Sequence, residues 1–78
     1  MAFIVIGEDE DILRQEDIVA VTFGNKKKHP NEADVRFWFR SGFYLDYTDV
    51  TEEEKIQLRK IFEEQTGTIR IGGKRKKS

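Results

Sequence analysis

The chain has 78 residues, 37 % of them charged, with 15 acids against 14 Lys and Arg for a formal net charge of −1. That length allows one small domain near the lower limit of unaided folding, and the lack of cysteine excludes a disulfide framework or a thiolate metal site. No apolar run approaches the roughly 18 residues that cross a bilayer, and no signal-peptide pattern opens the chain, so a soluble cytoplasmic protein without membrane contact is expected.

Phe3-Ile4-Val5-Ile6, closed by Gly7, reads as a first strand that is apolar on both faces and so covered on both. The acidic run Glu8–Asp11 follows. It lacks the spaced oxygen ligands and central glycine of a calcium loop, and is expected to be a solvated turn with no metal. Ile12-Leu13 could form a short strand or bend. Ile18–Phe23 is a second main strand, with Val19, Val21 and Phe23 on one face and Ile18, Ala20 and Thr22 on the other. GNKKKHPNEAD, residues 24–34, contains the single proline and reads as a surface loop.

Val35–Arg40 alternates Val35, Phe37, Phe39 against Arg36, Trp38, Arg40. A two-residue Ser41-Gly42 turn would pair Phe37 with Asp46 and set a carboxylate on the apolar face. A three-residue Arg40-Ser41-Gly42 turn with Gly42 at positive φ pairs Phe39 with Phe43, Phe37 with Leu45 and Val35 with Tyr47. On the other face it pairs Trp38 with Tyr44 and Arg36 with Asp46. Thr51-Glu52-Glu53-Glu54 is a capping box that opens a helix, with Leu58, Ile61 and Phe62 as its apolar stripe and Gly67 as its stop. Ile56 lies nearly opposite that stripe. Thr68–Ile71 can add a last strand.

The expected fold class is α+β: a small antiparallel β-meander of about four or five strands, with one C-terminal helix packed on its Val19/Val21/Phe23/Phe37/Phe39/Leu45 face. One domain spans residues 1–73, and residues 74–78 form a basic disordered tail. Without that tail the body is distinctly acidic, which argues against duplex-DNA binding by the folded part.

With one helix, only one sheet face is covered. The other would carry Ile18, Ala20, Thr22, Arg36, Trp38, Arg40, Tyr44 and Asp46. Aromatic faces stack bases and forked arginine donors suit phosphate oxygens, so Arg36, Trp38, Arg40 and Tyr44 are candidate ligand contacts. Lys26, Lys27 and Lys28 would add long-range attraction, although such a lysine run is more often a solvated loop. The same face could instead be an oligomer interface, with Ile18, Ala20, Trp38 and Ile56 as contacts, because aromatics and Arg are enriched in interfaces. Cross-strand pairing of Trp38 with Tyr44 and of Arg36 with Asp46 would also suffice on a plain solvated face.

No catalytic residues can be assigned: there is no cysteine, no arguable Ser–His–Asp set and no Gly-rich phosphate loop, and His29 before Pro30 has no implied partner. No cofactor is expected. EDIVAVTF, VRFWFRSGFYLDY and TEEEKIQLRKIF together resemble a strand–hairpin–helix plan of small prokaryotic and phage proteins. That plan is similar to FlbD-like flagellar proteins and to phage sponge proteins that sequester nucleotide signals. The sponge resemblance implies oligomers that hold a nucleotide between subunits. The expectation is a non-enzymatic, homo-oligomeric binding protein for a small nucleotide or short single-stranded nucleic acid. The alternative is a protein-interaction module or inhibitor that uses the same face.

Overall fold

The structure, a computed structural model, describes residues 1–7, 11–25 and 27–76. It is an α+β fold, in which seven strands among these residues form two sheets beside one helix. The expected meander accounts for only the second sheet. The strands are β1 (Ala2–Ile6), β2 (Asp11–Arg14), β3 (Ile18–Phe23), β4 (Val35–Phe39), β5 (Tyr44–Thr48), β6 (Gly67–Ile71) and β7 (Lys74–Arg75), with α1 (Glu52–Glu64) between β5 and β6.

β1 is the centre of a three-stranded sheet ordered β2-β1-β6. It pairs antiparallel with β2, Val5 opposite Ile12, and parallel with β6, Ile4 opposite Ile69. Its Ala2, Ile4 and Ile6 enter the core, and Val5 is buried as well. A central strand with near-continuous β-branched residues is the expected occupant of such a position.

The second sheet is antiparallel, in the order β3-β4-β5-β7. The β4–β5 hairpin has the register that the three-residue turn demands: Val35 with Tyr47, Arg36 with Asp46, Phe37 with Leu45 and Trp38 with Tyr44. Gly42 sits at φ 94° and its N–H donates to the Phe39 carbonyl at 2.9 Å. Phe39 and Phe43 stack with centroids 4.7 Å apart.

The helix opens on the complete capping box, with the Glu54 N–H donating to Thr51 Oγ1 and the Thr51 N–H to Glu54 Oε1. It ends earlier than expected. Gln65, at φ 59°, is the left-handed cap, and Gly67 begins β6. Leu58 and Ile61 enter a core shared with Ile4 and Ile71 of the first sheet and with Val35, Phe37 and Tyr47 of the second. The inner face of the β3–β4–β5 sheet is thus covered by α1 and the first sheet together, not by the helix alone.

Two further expectations are corrected. The β3–β4 register shifts between Ile18 and Ala20, so Ile18 turns into the core while Val19 is 61 % exposed. A single extra residue in a strand moves whatever precedes it to the opposite face, which removes Ile18 from the open surface. Residues 74–76 are not a disordered tail. β7 pairs Thr48 with Lys74 and Tyr47 with Arg75, and the Lys76 N–H donates to the Asp46 carbonyl at 2.9 Å. Main-chain pairing is indifferent to a basic side-chain composition.

Candidate functional site

The alternation of β4 and β5 sends Val35, Phe37, Leu45 and Tyr47 inward and Arg36, Trp38, Tyr44 and Asp46 outward. Register extends the outward rows across the sheet. One runs Thr22, Arg36, Asp46; the next runs Ala20, Trp38, Tyr44. These residues form the candidate binding surface.

Arg36 is its centre. Its Nε donates to Asp46 Oδ1 at 2.7 Å and its Nη2 to Asp46 Oδ2 at 3.0 Å, a forked ion pair. Its Cζ lies 4.0 Å from the Tyr44 ring centroid and 5.4 Å from that of Trp38. The two rings are tilted at 53° with centroids 5.0 Å apart. The hydrogen bonds from Arg36 to Asp46 raise the guanidinium pKa above its ordinary value, so the cation is permanent. Its charge and its donor fork are committed to Asp46. The surface is an ordered Trp–Arg–Tyr platform with Tyr44 46 % exposed.

The other candidate ligand residues that the structure describes do not join it. Arg40 leaves the strand at the turn and donates from Nε and Nη2 to the Glu16 carbonyl, at 3.2 and 3.1 Å. Its own N–H reaches the Asp17 carbonyl. Arg40 therefore fastens the hairpin tip to the short 3-10 turn at Gln15–Asp17. Lys26 lies outside the described residues. Lys27 and Lys28 ride on an Asn25-centred turn, their N–H groups donating to Asn25 Oδ1. Lys27 lines a depression with Thr51, Glu52 and Lys55 at the start of α1, away from the platform. Of the interface candidates, Ala20 stands beside Trp38, whereas Ile56 is 53 % exposed on α1, on the opposite side of the sheet.

One arrangement escaped sequence reasoning. Of the acidic run, Glu8, Asp9 and Glu10 lie outside the described residues, but Asp11 is in β2 and is no solvated turn. The buried Tyr47 hydroxyl donates to Asp11 Oδ2 at 2.7 Å, and Arg75 donates from Nε and Nη2 to both carboxylate oxygens at 2.9 Å. Burial works to raise the Asp11 pKa, but the bonds from Tyr47 and Arg75 outweigh it and hold the carboxyl below its usual range. Burial, then the bond to Asp11, pushes the Tyr47 phenol far above its ordinary value. The cluster ties β2, β5 and β7 together across the two sheets. Its three members lie 36 and 28 residues apart in sequence, and no local pattern marks them.

Comparison with protein-family models, with curated proteins and with solved structures finds no match. The likeness to FlbD-like and sponge proteins rests on the quoted residues alone. Among the described residues no three of His, Cys, Asp and Glu come together as a metal site, and no helix is long and apolar enough to cross a membrane.

Proposed function

We propose that the protein is a non-enzymatic interaction module whose Trp38/Tyr44 platform docks on another protein. The observation that carries this reading is the state of the two arginines. Arg36 is neutralised by Asp46, and the Glu16 carbonyl holds Arg40 at the hairpin tip, so neither turns its Nε–Nη2 fork toward a phosphate above the rings. What remains exposed is an aromatic surface of two tilted rings about a charge-compensated arginine, flanked by Ala20 and Thr22. Trp, Tyr and Arg are the residue types that dominate binding energy in interfaces. Platform side chains already fixed by stacking and a forked ion pair lose little rotamer freedom on docking. The complementary partner presents apolar or planar side chains and no excess charge.

A nucleotide remains the second reading, favoured by β7. Its pairing with β5 sets Lys74 opposite the outward Thr48, on the side of the sheet that carries Trp38 and Tyr44. Lys74 could meet a phosphate whose base stacks on the rings. Affinity capture separates the two. A protein retained by the wild type, released by both Trp38→Ala and Tyr44→Ala, kept by Ile56→Ala, and rebinding when purified, supports the interaction module. Retention unaffected by either aromatic substitution refutes it.

A further inference from the structure

The β3–β4–β5–β7 sheet ends at β3, which has no strand on its other side among the described residues. The Gly24 N–H donates to the Asp34 carbonyl, and the Phe39 N–H donates to the Phe43 carbonyl, so Phe39, Phe37 and Val35 turn their main-chain groups toward β5 and Trp38 and Arg36 turn theirs toward β3. Antiparallel alternation then turns the main-chain groups of Thr22 and Ala20 toward β4, and those of Val21 and Phe23 toward the open edge. Val19, the residue inside the register shift, has no partner on β4 either. This edge reads IVAVTF, with no proline, lysine or charge to blunt it, and the bulge at Val19 leaves Ala20–Phe23 in regular register. Beside it runs an open groove of about 420 Å³, lined by Val19, Val21, Phe23, Arg59, Phe62 and Glu63 among others.

We infer that β3 pairs antiparallel with β3 of a second copy of this chain, about a two-fold axis through Val21, to make one continuous eight-stranded sheet. Three features favour a second copy over a foreign strand. An axis at Val21 gives a hydrogen-bonded Val21–Val21 pair and sets the exposed Val19 against the partly buried Phe23 of the other copy. Secondly, α1 runs antiparallel to β3: Glu52 and Lys55 line a depression with Gly24 and Asn25, and Arg59 Cζ lies 4.9 Å from the Phe23 centroid. Glu63, one turn further on, therefore reaches toward the Val19 end. The same axis then faces Arg59 of each copy with Glu63 of the other, opposite charges meeting twice across the dyad. A foreign peptide would have to supply that charge pattern, whereas this chain carries it already. Finally, the dimer brings both outer faces to one side, so two Trp38/Tyr44 platforms flank a shared Ala20/Thr22 centre. The pairing stands whether or not the platform binds a protein.

Sedimentation equilibrium at about 10–100 μM tests it, a range in which a micromolar dimer is populated. The wild type should run at twice the 9.2 kDa chain mass, as should Trp38→Ala. Val19→Lys, a charge placed on an already exposed edge position, should run as a 9.2 kDa monomer with an unchanged far-ultraviolet spectrum. The chain has no cysteine, so Val21→Cys introduces a single thiol that the axis places opposite its own copy. Hydrogen-bonded pairs stand about 5.5 Å apart between Cα atoms, within disulfide reach, so oxidation should give a covalent dimer. Thr22→Cys should stay reduced under the same conditions. A monomeric wild type, a dimer that survives Val19→Lys, a dimer lost in Trp38→Ala, or cross-linking at Thr22 rather than Val21 would each overturn the inference.

Discussion

Asp11→Ala should be among the most damaging substitutions of a partly exposed residue in this protein. Its carboxylate is the acceptor for the Tyr47 hydroxyl, and the Tyr47 side chain is buried in the centre of the core. Removing the acceptor strands a buried hydroxyl, at a cost of about 1–3 kcal/mol. Arg75, 58 % exposed in its side chain, contributes only about 0–1 kcal/mol through its own half of the pair. At about 4–8 °C per kcal/mol for a domain of this size, Asp11→Ala should lower Tm by roughly 5–20 °C, and Arg75→Ala by no more than about 8 °C. Thermal denaturation followed by circular dichroism measures both. Adding Tyr47→Phe to Asp11→Ala removes the stranded hydroxyl, so the double variant should lose clearly less than the sum of the singles. Acid provides an independent check. Asp11 has its folded pKa below the unfolded value, so its contribution is complete above about pH 4 and is lost as pH falls through the folded pKa. Wild type should therefore lose stability in that window, and Asp11→Asn should lose less. Equal effects of Asp11→Ala and Arg75→Ala, or strict additivity with Tyr47→Phe, would refute the assignment of Asp11 as the acceptor that the fold depends on.

Phe37→Ala, at a fully buried position, should cost about 3–5 kcal/mol and leave the domain largely unfolded by urea denaturation. Arg36→Ala, on a side chain about a third exposed, should cost about 1 kcal/mol or less in the same assay; the reverse order would mean the sheet faces are misassigned. Gly42→Ala meets no neighbouring atom but must adopt φ 94°, so chemical denaturation should show a loss of about 1 kcal/mol or more from backbone strain alone. Thr51→Ala removes half of the capping box and should lower stability by about 1 kcal/mol, with Thr51→Ser close to wild type.

The hairpin was readable to the residue because two constraints agreed: only one turn length keeps Asp46 off the apolar face, and that turn needs a glycine where Gly42 stands. The helix start was equally legible, because a capping box is a local pattern. The bulge at Val19 was not. Every residue from Ile18 to Val21 is apolar, so a slip of one position leaves no polar residue misplaced to betray it. The parallel β1–β6 pairing joins strands more than 60 residues apart and depends on packing rather than on any local signal. Composition hid β7, whose lysine and arginine concealed a segment held by its main chain. At the candidate site, the Arg36–Asp46 pair followed from hairpin register. The fate of Arg40 did not, since it reaches a backbone carbonyl 24 residues away, and carbonyls carry no sequence identity.

The central claim, that the Trp38/Tyr44 platform serves a protein partner and not a phosphate-bearing ligand, has a direct optical test. Trp38 is the single tryptophan, so its fluorescence reports this face alone. Wild type is titrated at low salt with mono-, di- and cyclic nucleotides and with oligo-dT, to about 1 mM, where even millimolar affinity registers. No nucleotide should give a saturable change, and the purified partner should give one. Saturable quenching by a nucleotide, lost in Tyr44→Ala and weakened by salt, would contradict the claim and give the surface to a nucleotide.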